Sequence, residues 1–264
     1  MKDDLETLKL DRRGDHVVVV TLNRPHVANA INARMMDELA DLWTSFAEDS
    51  SELRCIVLTG AGERAFSAGA DLKERDGISL EEWRRQHAKL ECAVLAIVAS
   101  PVPVIAAVNG AAYGGGCELA LLSDFIYAAR SARFALPEVT RGIMPGAGGT
   151  QNLPRVAGIG RAKEIILTGQ LFDADEALRW GIVTRVCDDK QLMDDALVTA
   201  DKIATTAPVA VRQARTAMEA ARLDNFRNAY EAEMRAYDVT VETADRLEGI
   251  RAFNEKRAAK FNGR

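Results

Sequence analysis

The sequence predicts an α/β fold in which pairs of strands alternate with helices, followed by a region that is helical throughout. Three observations carry this expectation. Short β-branched runs such as V-V-V-V-T-L, R-C-I-V-L-T and P-V-I-A-A-V are bounded by polar or glycine turns. Between them lie segments whose apolar residues recur at helical spacing. From about Asp188 the helical pattern continues to the end, punctuated by Pro208 and by L-D-N at 223–225, and no linker rich in Gly, Ser or Pro detaches it.

Residues 5–10 and 16–22 read as two strands joined by the polar turn D-R-R-G-D. Pro25, in N-R-P-H-V-A-N-A-I-N, stops the second strand, and Asn32 stands where a side-chain oxygen can cap a following helix. Over residues 33–49, Met35, Met36, Leu39, Leu42, Trp43 and Phe46 share one face, which predicts an amphipathic helix. Residues 54–59 are a further strand, ended by Gly60-Ala61-Gly62. Next, A-F-S-A-G-A-D-L-K-E sets the small residues Ser67, Ala68, Gly69 and Ala70 before Asp71, itself a candidate helix cap. Such a run suits either a backbone that something approaches closely or an ordinary strand-to-helix connection. Residues 80–100 are helical in pattern, with Trp83, His87, Leu90, Val94, Leu95 and Val98 as the expected buried face. His87 reads as packed or solvent-facing, and with no motif at His16 or His26 a histidine-based triad has little support.

The rest of the chain is arranged around residues 103–124, P-V-I-A-A-V-N-G-A-A-Y-G-G-G-C-E-L-A-L-L-S-D. A buried strand is broken by Asn109-Gly110, and Gly114-Gly115-Gly116 leads into a helix. Consecutive glycines let a backbone run close to a ligand, and the amides that open a helix have no partner inside it and favour an anion. Glu118 lies within the first turn beyond them. The same residues also suit a plain glycine turn that packs a helix against its sheet, with Glu118 as a favourable first-turn acid. Residues 124–129 are another strand, and L-P-E-V-T-R-G-I-M-P-G-A-G-G-T-Q carries Glu138. There Pro137 and Pro145 stiffen the segment and residues 146–150 start a helix. Glu118 and Glu138 stand 20 residues apart, room for a helix, a strand and a return turn that could bring both carboxylates to one end of the sheet. Each acid alone is an ordinary surface residue; the pair, beside two small-residue cradles, points to chemistry.

Composition narrows the classes. With 264 residues, 48% of them hydrophobic, the chain can bury a sizeable core. A formal charge of −5 argues against a surface built for nucleic acid over its whole face. Cys55, Cys92, Cys117 and Cys187 form no C-x-x-C pair and match no histidine cluster, so no metal site is expected and all four read as reduced core residues of a cytoplasmic protein. The N-terminus lacks an apolar signal core and no run approaches the ~18 apolar residues of a membrane span, so neither secretion nor a membrane is expected. From Arg251 onward the tail is basic, with Lys256, Arg257, Lys260 and Arg264 against Glu255 alone, which suits either phosphates or a solvated helix face.

The segments A-F-S-A-G-A-D-L-K-E, A-A-V-N-G-A-A-Y-G-G-G-C-E-L-A-L-L-S-D and L-P-E-V-T-R-G-I-M-P-G-A-G-G-T-Q resemble the crotonase superfamily of enoyl-CoA hydratases and isomerases. The likeness runs from L-N-R-P-H-V-A-N-A-I-N through L-T-G-Q-L-F-D-A-D-E-A-L-R-W-G-I-V-T-R-V to L-E-G-I-R-A-F-N-E-K-R, nearly the whole chain. It implies a crotonase-like spiral of repeated strand-strand-helix units, with residues 1–190 as the acyl-CoA-binding catalytic core. Residues 191–264 become a C-terminal helical oligomerisation region, building a homotrimer or a homohexamer of two trimers. The activity implied is addition of water across the 2,3 double bond of a 2-enoyl-CoA to give a 3-hydroxyacyl-CoA, in fatty-acid or related acyl-CoA degradation. No cofactor is needed beyond the coenzyme A of the substrate. By the same likeness the amides of Ala70 and Gly115 form an oxyanion hole, Glu118 is the base that activates water, and Glu138 is the acid. Arg24, Val27, Ala28, Ala68, Asp71, Leu72, Lys73, Gly114 and Gly146 would line the path of the acyl-CoA. Phe253 and Lys256 match positions that reach the coenzyme, often from a neighbouring subunit.

An isomerase on this scaffold needs only one carboxylate, so two glutamates favour hydration. Neither glycine cluster gives the dinucleotide pattern G-x-G-x-x-G, since Gly146 and Gly148 are followed at the third position by Gln151. A-D-L-K-E-R and D-R-L-E-G are also similar to the methylglutaconyl-CoA hydratase branch, which includes an RNA-binding member. The acidic total, without aromatics interleaved in a basic patch, makes RNA a minor reading and no nucleic acid is expected. The acyl group stays open between straight, branched and cyclic. Arg75, Arg84, Arg85 or Arg141 could meet a distal carboxylate if one of them points inward, although each by itself reads first as a surface residue.

Overall fold

The computed structural model describes residues 5–223, 234–235, 237–239 and 242–264. An antiparallel hairpin opens the chain, with β1 (Leu8–Arg13) against β2 (Val17–Leu22) and Leu8 opposite Leu22. The first strand therefore runs past Leu10. Asp11, Arg12 and Arg13 are tolerated there because an edge strand needs only its backbone paired and can leave side chains in water. In α1 (Ala33–Glu48) the expected Asn32 cap accepts the Met35 amide at 3.0 Å, and all six apolar residues of the expected face are buried.

The chain then lays one strand in a six-stranded sheet, the next in a four-stranded sheet, and follows with helix, repeatedly. The first round is β3 (Cys55–Gly60), β4 (Ala65–Ser67), α2 (Leu72–Arg75) and α3 (Leu80–Val98). The second is β5 (Val104–Val108), β6 (Ala111–Tyr113) and α4 (Gly115–Leu121). The third is β7 (Phe125–Ala129), β8 (Arg133–Ala135), a 3-10 turn (Glu138–Arg141), α5 (Gly149–Ala157) and α6 (Ile159–Thr168). After β9 (Phe172–Asp173), α7 (Ala174–Arg179) and β10 (Arg185–Cys187) come α8 (Leu192–Ala204), α9 (Pro208–Leu223) and α10 (Ala244–Asn254). The large sheet runs β1-β2-β3-β5-β7-β10 and the small one β4-β6-β8-β9. Pairings are parallel except β1 with β2 and β8 with β9.

Parallel strands covered on both faces read as unbroken apolar runs, and β3 and β5 are buried at every residue. Helix α8 lies against β3, β5 and β7, and α1 packs on α3. Asp245 accepts the Asn262 and Gly263 amides at 2.8 Å each, and Arg54 donates to the Phe261 carbonyl at 3.0 Å, which ties the C-terminal tail to the body. Among the described residues no helix is long and apolar enough to cross a membrane.

Several expectations change. Gly60 belongs to β3 rather than ending it, because a Cβ there would lie 2.5 Å from the Phe66 carbonyl oxygen where the chain doubles back. A third strand, β6, stands between Asn109 and the glycines, and Gly115 and Gly116 are already helical. The buried stripe of α3 is Gln86, Ala93 and Ile97, while Leu95 and Val98 are exposed. Cys92, on the outer side of that helix, is exposed; the other cysteines are buried. Asp71 sits at the N-cap of α2 without a capping hydrogen bond, since its carboxylate is engaged by Arg24. The expected helix over 225–237 falls mostly outside the described residues.

Two contacts hold this arrangement where sequence gives little sign of them. Glu38, on the buried face of α1, accepts the amides of Glu6 and Thr7 at 2.9 Å each and the Thr7 hydroxyl at 2.6 Å, with Arg34 beside it. Burial pushes its pKa up, but these donors outweigh burial and hold the carboxyl below its ordinary value. The second contact follows from the small sheet. Ala65 pairs with Ala111 and Ser67 with Ala112, so the segments leaving β4 and β6 emerge side by side. They meet so closely that a Cβ on Gly116 would lie 2.2 Å from the Ser67 carbonyl oxygen.

Glu38→Ala strands buried donors and lowers stability by about 2–3 kcal/mol in urea unfolding; a loss under about 0.5 kcal/mol would remove the carboxylate as the clamp of the N-terminal segment. Gly116→Ala costs about 1–3 kcal/mol by the same assay, because a backbone carbonyl cannot swing aside as a side-chain end can. Gly160→Ala, where nothing lies within 4 Å of the new methyl, is neutral to mildly stabilising.

Candidate active site

The two segments that leave β4 and β6 each present a backbone amide that has no acceptor among the described residues. After β4, the Ala68 amide donates to the Ala28 carbonyl, the Gly69 amide to Ser67 Oγ and the Asp71 amide to the Ile31 carbonyl. The Ala70 amide, among these, finds no acceptor among the described residues. After β6, Gly115 is the first residue of α4, so its amide has no partner inside the helix. A Cβ on Gly69 would lie 3.0 Å from the Gly115 nitrogen, and one on Gly115 would lie 3.7 Å from the Ala70 nitrogen. Gly69 has to be glycine for that convergence, since its φ is 86° and a Cβ would also lie 2.6 Å from the Tyr113 carbonyl oxygen. Gly114, at φ 52° and ψ −125°, makes the sharp entry into α4 that an L side chain rarely adopts.

Both glutamates face the space in front of these amides. A cavity of about 430 Å³ is lined by Ala70, Gly115, Glu118, Glu138 and Gly146, together with Ile31, Met36, Leu90, Ile143 and Pro145 as apolar wall. Arg75, Trp83 and His87 line it as well. Glu118, 2% exposed, accepts the amides of Ala147 and Gly149 at 2.8 Å each through Oε1. Burial raises its pKa, while the amides of Gly149, Ala147 and Gly146 and the nearby His87 pull the other way. Glu138 is differently placed. Burial first, then the neighbouring Glu118, pushes its pKa up to about 7 against the opposing pull of its own amide and Arg141. Its Oε2 is buried with no hydrogen-bond partner among the described residues, and its Oε1 lies near Gly114, where a Cβ would be 3.0 Å away.

The remaining expected residues form two further groups. Arg24 donates to the Ala30 carbonyl at 2.6 Å and to Asp71 at 3.0 Å, binding the loop around Val27 and the left-handed Ala28 to the Ala68–Asp71 segment. Leu72 and Lys73 follow on α2 with exposed side chains. Phe253 lies in α10 by its backbone, and Lys256 is exposed beyond the helix and does not line the cavity of its own chain. Sequence reasoning missed the amides of Ala147 and Gly149, for which P-G-A-G-G was the available sign. It also set His87 aside, although that ring lines the cavity and its charge acts on Glu118. Asn29, fully buried, was missed as well: it accepts the Arg24 amide and donates to the carbonyls of Ala61 and Ala65, fixing the loop beneath the Ala70 amide.

A family model described as enoyl-CoA hydratase/isomerase matches residues 12–264. The short-chain-enoyl-CoA hydratase of Clostridium acetobutylicum is 41% identical over 254 residues, covering 96% of this chain and 97% of that protein. The crotonyl-CoA hydratase of Syntrophomonas wolfei is 38% identical over 247 residues, covering 94% and 95%. Among solved structures, an enoyl-CoA hydratase from Bacillus anthracis superposes with a TM-score of 0.95 at 42% identity, covering 98% of this chain and 100% of that one. With the two-sheet spiral, the converging amides and a match over almost the full length, the chain belongs to the enoyl-CoA hydratase/isomerase family.

Proposed function

We propose that the chain is an enoyl-CoA hydratase that converts a 2-enoyl-CoA and water to a 3-hydroxyacyl-CoA. The observation that carries this reading is the pair of unpaired amides facing two buried carboxylates in unlike environments across one cavity. Glu118 is held by backbone amides that favour its charged form, so it takes a proton from water as the oxygen bonds to Cβ. The π electrons move onto the thioester oxygen, where the Ala70 and Gly115 amides receive the developing enolate. A donor aimed at such an oxyanion is worth about 3 kcal/mol of barrier. Glu138, with its carboxyl at about 7 and one oxygen unpartnered, is suited to carry the proton that the enolate takes at Cα. Proton exchange with the next water then restores both acids.

Coenzyme A would lie along Arg24, Val27, Ala28, Ala68, Asp71, Leu72 and Lys73, with Gly114 and Gly146 at the reacting end. Lys256 does not line the cavity of its own chain, which supports a contribution by it and by Phe253 from a neighbouring subunit in a homotrimer or a homohexamer of two trimers. Residues 191–264 would then serve assembly and residues 1–190 catalysis. No cofactor beyond the substrate's own coenzyme is required, and the free cysteines fit a cytoplasmic setting.

Hydration of crotonyl-CoA, followed as loss of the enoyl thioester absorbance, is the expected activity. Glu118→Gln and Glu138→Gln should each reduce kcat by about 10² to 10⁴ fold; turnover of a 3-enoyl-CoA without any hydration would make the chain an isomerase instead. Because Glu138 works in its protonated form, kcat/KM falls as pH rises through about 7, and it falls again on the acid side as Glu118 takes up a proton. A pH–rate profile flat from about pH 6 to about pH 9 would sink that division of roles.

A further inference from the structure

The titratable side chains that line the cavity are Arg75 on α2, His87 on α3, Glu118 on α4 and Glu138 in the 3-10 turn. The mechanism gives both glutamates a task and His87 none. The histidine ring stands against the glycine-rich segment that follows the turn: a Cβ on Gly146 would lie 3.1 Å from its Cε1 and 3.9 Å from its Nδ1. A side chain at 146 would crowd the imidazole, so this glycine leaves the ring its place. Residues 142–149 contain no ionisable side chain, and the amides of Gly146, Ala147 and Gly149 are the ones that draw the Glu118 pKa down. His87 therefore backs the segment that holds Glu118.

Two carboxylates in one cavity ionise unequally, and the one that keeps its proton becomes the acid. The amides supply the larger part of the pull on Glu118, yet burial still holds its pKa above the ordinary carboxylate value. The side-chain charge that adds to their pull is that of His87. Glu138 is treated otherwise: Glu118 pushes its pKa up and Arg141 pulls it down. The remaining charged groups are engaged or balanced. Arg75 lies over the Trp83 ring and is acted on by Glu74. Arg84 and Glu91, about one turn before and after His87 on α3, are exposed and of opposite sign. Cys117, beside Glu118 on α4, is kept a neutral thiol by burial. His87 is thus a cation that serves one glutamate of the pair.

We propose that His87 is a positioning residue of the reaction: its imidazolium, seated against Gly146, keeps Glu118 ionised and leaves the proton of the pair on Glu138. The role rests on the hydratase reading, but the division of the proton can be measured without turnover. In protein isotopically labelled at the glutamate Cδ, the NMR signal of the Glu118 carboxyl is the one missing from Glu118→Gln. That signal should titrate at least about 0.5 pH unit higher in His87→Gln than in the wild type. His87→Phe keeps a ring on Gly146 without a charge and should give the same rise, whereas His87→Lys keeps a cation and should leave the titration near the wild-type position. In the hydration assay the acid limb of kcat/KM should move up equally in the Gln and Phe variants. On that limb the rate then falls about threefold, against less than about twofold on the plateau. An unchanged Glu118 titration in both uncharged variants overturns the proposal. A rise in His87→Gln that His87→Phe does not share assigns the effect to packing and overturns it too. The expected rise in a protein that hydrates no crotonyl-CoA would instead sink the hydratase reading and leave the proton division standing.

Discussion

The close approach of the segment after β4 to the start of α4 is the constraint on which the site depends. Ser67 and Gly116 touch without room for a methyl group, and that contact sets the Ala70 and Gly115 amides facing one space. Everything upstream serves it. Parallel pairing of β4 with β6 brings the two exits together, and Asn29 pins the preceding loop to the carbonyls of Ala61 and Ala65. The Ser67 hydroxyl bridges from the Asn29 carbonyl to the Gly69 amide, leaving Ala70 as the amide with nothing to bind.

Two carboxylates buried in one cavity repel each other and resist ionisation, and the fold treats them unequally. Burial leaves the Glu118 pKa raised, but three backbone amides from a single glycine-rich segment, with His87 nearby, oppose that rise. Glu138 receives little beyond its own amide and the exposed Arg141, and its carboxyl rises to about 7. Most of the asymmetry comes from backbone geometry, so most of it survives changes at the surface. Arg75, also on the cavity, lies over the Trp83 ring and makes no ion pair among the described residues.

Long periodic elements were legible in the sequence, and short or backbone-made ones were not. The buried face of α1 is met at every expected residue, because its stripe is strict and packs over its full width. For α3 the apolar residues fall on several sides, and Leu95 and Val98 lie on an exposed one. Strands of three residues, such as β4, β6 and β8, are too short for an alternating pattern to register. Glu118 and Glu138 were visible as residue types at a suggestive interval, and the pairing of β6 with β8 is what brings them to one cavity. The amides of Ala147 and Gly149 carry no residue-type signature, because any residue but proline supplies an N–H.

The bonds from Glu118 to the 146–149 segment make this carboxylate a fastener as well as the proposed base. One of its oxygens, Oε1, is committed to the amides of Ala147 and Gly149. Diversification of the scaffold is therefore constrained at this position: a chain that gives up the acid must also find a new acceptor for those amides, or rebuild the loop that lines the mouth of the cavity. A glutamine keeps the carbonyl oxygen that the loop requires while surrendering the charge, so it is the smallest step by which such a fold could change its chemistry without losing its shape.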